Sequence, residues 1–183
     1  MPRAGLTTDG VVDVALALVD EKGIEALSLA AIADRAGVAA PSLYKHVGSL
    51  ADLRILMALR ILRQVTGVFA EVVMGRSGDD AVEALMRAYR AYVLANPGRY
   101  ALLPLDPLGH EVLADAGREQ LGVFVAVLRG YGLDEAAATH AIRRLRAAVH
   151  GFADLESGGG FGLPEDIETT YDGLIAMCLR SLR

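Results

Sequence analysis

The stretch from Ser49 to Val73 constrains the fold of this chain more than any other. Asp52, Arg60, Arg63 and Glu71 fall in one narrow arc at about 100° per residue, with Arg54 outside it. The remaining positions are overwhelmingly apolar: Leu53, Leu56, Met57, Leu59, Leu62, Val65, Val68, Phe69 and Val72. A helix apolar around most of its circumference must be covered on several sides, so it cannot be a free linker. It reads as the connection between a small N-terminal bundle and a second helical domain. The expected fold is all-α with about nine helices, divided into residues 1–50 and residues 51–183.

Composition agrees with a helical chain. Hydrophobic residues make up 53% and charged residues 22%, with a mean hydropathy of +0.35. Alanine and leucine dominate and β-branched runs are scarce, which favours helix. The surplus of apolar surface suggests self-association. No stretch reaches the roughly 18 uninterrupted apolar residues of a membrane span. The start of the chain runs straight into Thr7-Thr8-Asp9, so no secretory apolar region is expected. A single cysteine, Cys178, excludes an intramolecular disulfide framework and fits a reducing cytoplasm.

Upstream of the long helix, Val11, Val12, Ala15, Leu18 and Val19 mark a first helix from about Thr8 to Lys22, closed by Gly23. Ser28 is a good N-cap for a second, Leu29–Ala36. Gly37 then suits a tight turn, because glycine accepts positive φ. Pro41 suits the first turn of a third helix, about Ala40 to His46. Val38, Leu43 and Val47 can face inward there, while Ser42, Tyr44, Lys45 and His46 can reach a phosphate or a base. Helix, glycine turn and polar-tipped helix read as a helix-turn-helix. Bulk charge does not help this reading. The whole chain carries −5, and residues 1–50 hold four Lys/Arg against six Asp/Glu.

Downstream, a fifth helix is expected to run to about Asn96, where Asn96-Pro97-Gly98 stops it. An irregular connection over residues 97–107 precedes a helix from about Leu108 to Arg129. Asp134 caps another that continues to about Ser157, and Pro164 stands near the start of the last.

Enzymatic chemistry has little support. The glycine run 158–162 lacks the preceding strand and following Lys-Ser/Thr of a phosphate loop, so it reads as a connector. None of His46, His110, His140 and His150 sits in a metal-binding spacing, so no metal or cofactor is expected. No serine or cysteine sits in a nucleophile elbow. Two features could bind a small molecule instead. Phe69, Met86, Tyr89, Tyr92, Tyr100 and Phe124 fall on helices expected to face each other, as a packed core or as an apolar pocket. His150, with Arg146 and Asp154 four residues either side, borders the stripe Ile142, Leu145, Val149 and Phe152. It could serve a helix–helix contact or touch a ligand, and Gly151 beside it permits close approach of another helix. A helical-bundle enzyme and a protein-binding adaptor stay as alternatives.

The run Ala33-Asp34-Arg35-Ala36-Gly37-Val38, then Ser42-Leu43-Tyr44-Lys45-His46-Val47, then Leu53, resembles the TetR family of bacterial transcriptional regulators over about the first fifty-five residues. Ala148-Val149-His150-Gly151-Phe152 with Glu156 and Gly160-Phe161-Gly162-Leu163-Pro164 resembles the C-terminal regulatory domain known by its Trp-His-Gly signature, although this chain has no tryptophan. The resemblance implies a homodimeric repressor on near-palindromic double-stranded operator DNA, released by a small, mostly hydrophobic effector. By position, Tyr44 and His46 would contact phosphates, Ser28 would do so at the start of the second helix, and Ala39, Ala40, Pro41, Ser42 and Lys45 would face bases or backbone. The last two helices would form the dimer interface, with Ile142, Leu145, Val149, Phe152, Leu174 and Cys178 on it. Ala30 and Leu50 stand where relatives often carry an arginine and a lysine. Arg3, near the start of the chain, is one candidate to compensate.

Overall fold

The computed structural model describes residues 6–183, so Arg3 lies outside the described residues. Among these residues there are nine α-helices and no strand: α1 (Thr8–Lys22), α2 (Leu29–Ala36), α3 (Ala40–Leu43), α4 (Leu50–Val73), α5 (Gly78–Ala95), α6 (Pro97–Tyr100), α7 (Ala114–Leu128), α8 (Glu135–Ser157) and α9 (Ile167–Arg180). Short 3-10 turns follow α1 and α7, at Ile24–Ala26 and Arg129–Tyr131.

Local chemistry sets most boundaries. Thr7, Ser28, Asp134 and Asp166 each accept a backbone N–H from the first turn of the helix they precede, satisfying donors that have no intrahelical partner. Two boundaries in the C-terminal half differ from the sequence expectation. The helix expected from Leu108 starts at Ala114, because the Asp106 carboxylate accepts from the N–H groups of Leu108 (3.1 Å) and Gly109 (3.3 Å) and holds a turn there. The last helix starts at Ile167, after the Asp166 cap rather than at Pro164.

The chain forms two compact units. The first extends to Arg63 and includes Gly98–Gly117; the second comprises Gln64–Pro97 and Arg118–Arg183. They divide inside α4, beyond the residue 50/51 division drawn from the sequence. In the first unit α2 packs on both α1 and α3. Its core includes Val11, Ala15, Val19, Ile32, Leu43, Leu53 and Met57, each at most 2% exposed. Full burial of side chains such as Ile32 and Leu43 contributes roughly 1.5–3 kcal/mol each. In the second unit α5, α8 and α9 pack against one another, with Val82, Leu85, Leu145, Val149 and Tyr171 buried.

Helix α4 is less enclosed than expected. Leu53, Met57, Ile61, Leu62, Val65 and Phe69 are buried along one stripe, whereas Leu56, Leu59, Val68 and Val72 are only half-buried.

Candidate functional site

The sequence Ser28–Val47 folds as two helices around a glycine turn. Gly37 adopts φ 66°, ψ 34°, the left-handed conformation that a Cβ disfavours. Its geometry lets Val38 N–H reach the Ala33 carbonyl at 3.0 Å and Gly37 N–H reach Asp34 at 3.1 Å, which closes α2. Ala39 then turns extended and α3 begins, with Pro41 in its first turn. The third helix keeps α-form only to Leu43. His46 N–H bonds to the Leu43 carbonyl at 2.8 Å, a tight three-residue step, and Val47 N–H shares that carbonyl at 3.0 Å. Helix through His46 was the expectation; hydrogen-bonded turns take its place.

Those turns sort the side chains. Leu43 is fully buried and Val47 nearly so, which pins the segment to the bundle. Tyr44 is 59% exposed, an unusual position for a tyrosine that contributes nothing to a core. Lys45, Ala39 and Pro41 are exposed too, while Ser28, Ala40, Ser42 and His46 are half-buried. Thr8 donates its hydroxyl to the His46 carbonyl at 3.3 Å, tying the start of α1 to the end of this segment. Ser28 Oγ accepts from Ala31 N–H at 3.2 Å as the cap of α2, which leaves its own proton available. Two nearby arginines are engaged. Arg35 makes two bonds to Glu21 (2.7 and 2.5 Å), lowering the pKa of that carboxyl; Arg60 bridges Asp13 (2.7 Å) and Asp9 (2.6 Å).

In the second unit, Phe69, Tyr89 and Phe124 come together: the Phe69 ring lies 5.3 Å from Tyr89 and 6.1 Å, edge-on, from Phe124. Met86 and Tyr92 are buried on the same helix as Tyr89. Tyr100, at the end of α6, belongs to the first unit, so the candidate effector residues do not all share one unit. His150 is half-buried on α8.

The candidate interface residues need correction. Leu145, Val149, Phe152 and Cys178 are each at most 9% exposed within the single chain, so they fill its own core and cannot be the face offered to a second copy. Ile142 and Leu174 are half-buried. Beside many charged side chains, α8 and α9 expose Ala147 and Gly173 together with Leu155 (54%) and Met177 (53%), and Gly151 is half-buried.

The sequence reading missed Arg90. Its guanidinium, on α5, donates to Glu156 of α8 from Nε and Nη2 (2.6 Å each) and to Glu168 of α9 from Nη1 (2.8 Å) and Nη2 (2.7 Å). The Tyr171 and Phe152 rings lie beneath it at 4.6 and 5.5 Å. Bonds to Glu156 and Glu168 raise the guanidinium pKa, and the bond from Arg90 lowers that of Glu168. Tyr171 donates its hydroxyl to the Met86 carbonyl at 2.6 Å, and burial pushes its pKa up. The available signal was a lone arginine four residues after Met86 on an apolar stripe.

Comparison with known proteins gives three results. The family described as "Bacterial regulatory proteins, tetR family" matches residues 11–55, and the one described as "Tetracyclin repressor-like, C-terminal domain" matches residues 82–178. The chain is 37% identical to an HTH-type transcriptional regulator of Mycobacterium tuberculosis, covering 91% of this chain and 76% of that protein. It is also 37% identical to the HTH-type regulator YobS of Bacillus subtilis, covering 91% and 87%. Among solved structures, the Streptomyces coelicolor TetR family protein ActR in complex with (S)-DNPA is similar at a TM-score of 0.61 and 26% identity, over 98% of this chain and 89% of that one.

Proposed function

The chain belongs to the TetR family and is a DNA-binding transcriptional regulator, and from that premise we propose that it is a ligand-released repressor acting as a homodimer in the cytoplasm. The observation that carries the reading is the Gly37–Val47 segment, where buried Leu43 and Val47 anchor a tip that turns Tyr44 and Lys45 outward. Tyr44 and His46 serve phosphates, as does Ser28 at the start of α2, where N–H groups and the helix dipole favour an anion. Ala39, Ala40, Pro41, Ser42 and Lys45 face base edges or the backbone in the major groove.

The dimer pairs the exposed faces of α8 and α9. A Cβ added to Gly151 or Gly173 would meet nothing within 4 Å, so a second pair of helices has room to approach there. Two recognition segments then enter successive major grooves ~34–36 Å apart on a near-palindromic operator. The effector is small and mostly hydrophobic, bound against Phe69, Met86, Tyr89, Tyr92 and Phe124, with His150 as a polar contact. Binding of a small molecule is supported by ActR, a TetR family protein whose structure is in complex with (S)-DNPA. The effector acts by binding the DNA-free arrangement more tightly than the DNA-bound one.

A gel shift with DNA flanking its own gene, at low and at moderate salt, tests the reading. A specific retarded band is expected; none at either salt overturns it.

A further inference from the structure

We propose that the loop between α8 and α9 roofs a second small-molecule site, separate from the Phe69–Tyr89–Phe124 cluster, that takes a small apolar molecule carrying a positive charge, an aryl- or alkylammonium ion. A recess of about 400 Å3 opens there. Phe152, Phe161, Leu163 and Ile167 give it apolar walls, and Glu165 and Thr170 supply its polar side chains. That volume falls within the roughly 300–1,000 Å3 of ordinary small-molecule sites, which combine apolar walls with a few polar groups. The rings of Phe152 and Phe161 pack 4.8 Å apart and tilted by 44°, and Phe161, half-buried, is the one of the pair that keeps more of its surface open. Ring faces of this kind attract an organic cation.

The segment that forms the recess carries one sign of charge, and the Arg90 guanidinium, 5.5 Å from the Phe152 ring, is held by Glu156 and Glu168. From Ala147 to Leu179 there is no lysine or arginine, against six carboxylates. Glu156 and Glu168 are held by Arg90, Asp172 by Arg87, and Asp166 caps α9. Among the described residues Glu165 has no ion-pair partner, and it is the carboxylate that lines the recess together with the rings. An anion is repelled there and a cation concentrated. The roof is anchored rather than loose. Gly160 N–H bonds to the Leu155 carbonyl at 2.6 Å, and a Cβ on Gly160 would stand 3.0 Å from that oxygen, so a side chain there would crowd the turn.

The chain has four phenylalanines, and they split evenly: Phe69 and Phe124 in the aromatic cluster, Phe152 and Phe161 at the recess. Ring-labelled phenylalanine in the full-length protein therefore reports both places in one NMR spectrum. Titration with benzyltrimethylammonium is expected to give saturable shifts at Phe152 and Phe161, and phenylacetate at equal concentration none. Glu165→Gln, an exposed substitution that leaves the fold intact, should weaken the cation by about three- to fivefold, the scale of a solvent-exposed charge pair. Absence of shifts with the cation, shifts confined to Phe69 and Phe124, equal response to both probes, or unchanged affinity in Glu165→Gln would each overturn the proposal.

Discussion

Replacing Arg90 by methionine tests whether the three-helix clamp holds the second unit together. The substitution keeps much of the aliphatic stem over Tyr171 and Phe152 but deletes four hydrogen bonds. Its cost comes mostly from what it strands. The Glu168 side chain is 63% exposed and can be rehydrated, whereas that of Glu156 is 15% exposed. Breaking a buried pair by removing one partner costs about 3–5 kcal/mol when the survivor stays ionised. Proton uptake sets a ceiling: neutralising a carboxyl with an ordinary pKa near 4.3 at pH 7 costs about 3.7 kcal/mol. The expected loss is therefore about 3 kcal/mol, or about 6–12 °C in Tm for a chain of this length. Urea and thermal unfolding followed by far-UV circular dichroism measure it, with an unchanged urea slope showing that stability alone has moved.

Two controls make the reasoning refutable. In Arg90→Met/Glu156→Met no carboxylate is stranded at the buried position, so stability should return to within about 1 kcal/mol of wild type. Acidification should also narrow the gap between wild type and Arg90→Met. Arg90 depresses the Glu168 pKa in the folded protein, so that contribution is full above the unfolded value of 4.5 and is lost as pH falls through the depressed one. In the variant that contribution is already gone, so the two stabilities converge on acidification. A loss below about 1 kcal/mol, additive effects in the double variant, or a gap that widens on acidification would refute the clamp.

Tyr44→Ala should weaken operator binding broadly across sequences, and Lys45→Ala should relax base preference; a gel shift in which Tyr44→Ala binds like wild type removes the phosphate assignment. Gly173→Arg places a charge in space that is open in the single chain, so the helix content should be kept while sedimentation reports monomers. Persistent dimers would put the interface elsewhere. Cys178 is 5% exposed and burial raises its thiol pKa, so a disulfide reagent at pH 8 should react only as the protein unfolds. A native-state rate near that of a free thiol would contradict this.

Periodicity and capping residues were enough to find α1, α2 and α8 close to their observed ends, because Ser28, Gly37 and Asp134 satisfy backbone groups wherever the rest of the chain lies. What periodicity shows is that a face is apolar, and not what covers it. Leu145, Val149 and Phe152 on α8, with Cys178 on α9, make apolar faces that suit a partner subunit equally well, yet the chain's own packing of α5, α8 and α9 consumes them. Arg90 was hidden for the complementary reason. Its partners lie 66 and 78 residues away, so no local spacing announces them. The shortened α3 reflects a balance between helix propensity and the burial of Leu43 and Val47, which only tertiary contacts decide.

That packing bears on how DNA would be held. Counting charges credits the first unit with several arginines, but Arg35 is engaged by Glu21, Arg60 by Asp9 and Asp13, and Arg99 by Asp20. These residues brace the bundle, and the positions where relatives often add cations hold Ala30 and Leu50. Among the described residues of this unit, Lys22, Lys45, Arg54 and Arg63 are exposed cations without an ion pair, and of these only Lys45 lies in the Gly37–Val47 segment. In the proposed complex, phosphate contacts from this segment would then come largely from neutral donors: the Tyr44 and Ser28 hydroxyls and the backbone N–H groups opening α2. Neutral donors fix register without releasing many counterions, so they give less non-specific attraction than lysine or arginine would. The exposed, apolar Ala39 and Pro41 then matter more, since contact with thymine methyl groups discriminates sequence without adding charge. A tip built this way gives up long-range attraction and depends on close fit at a defined site.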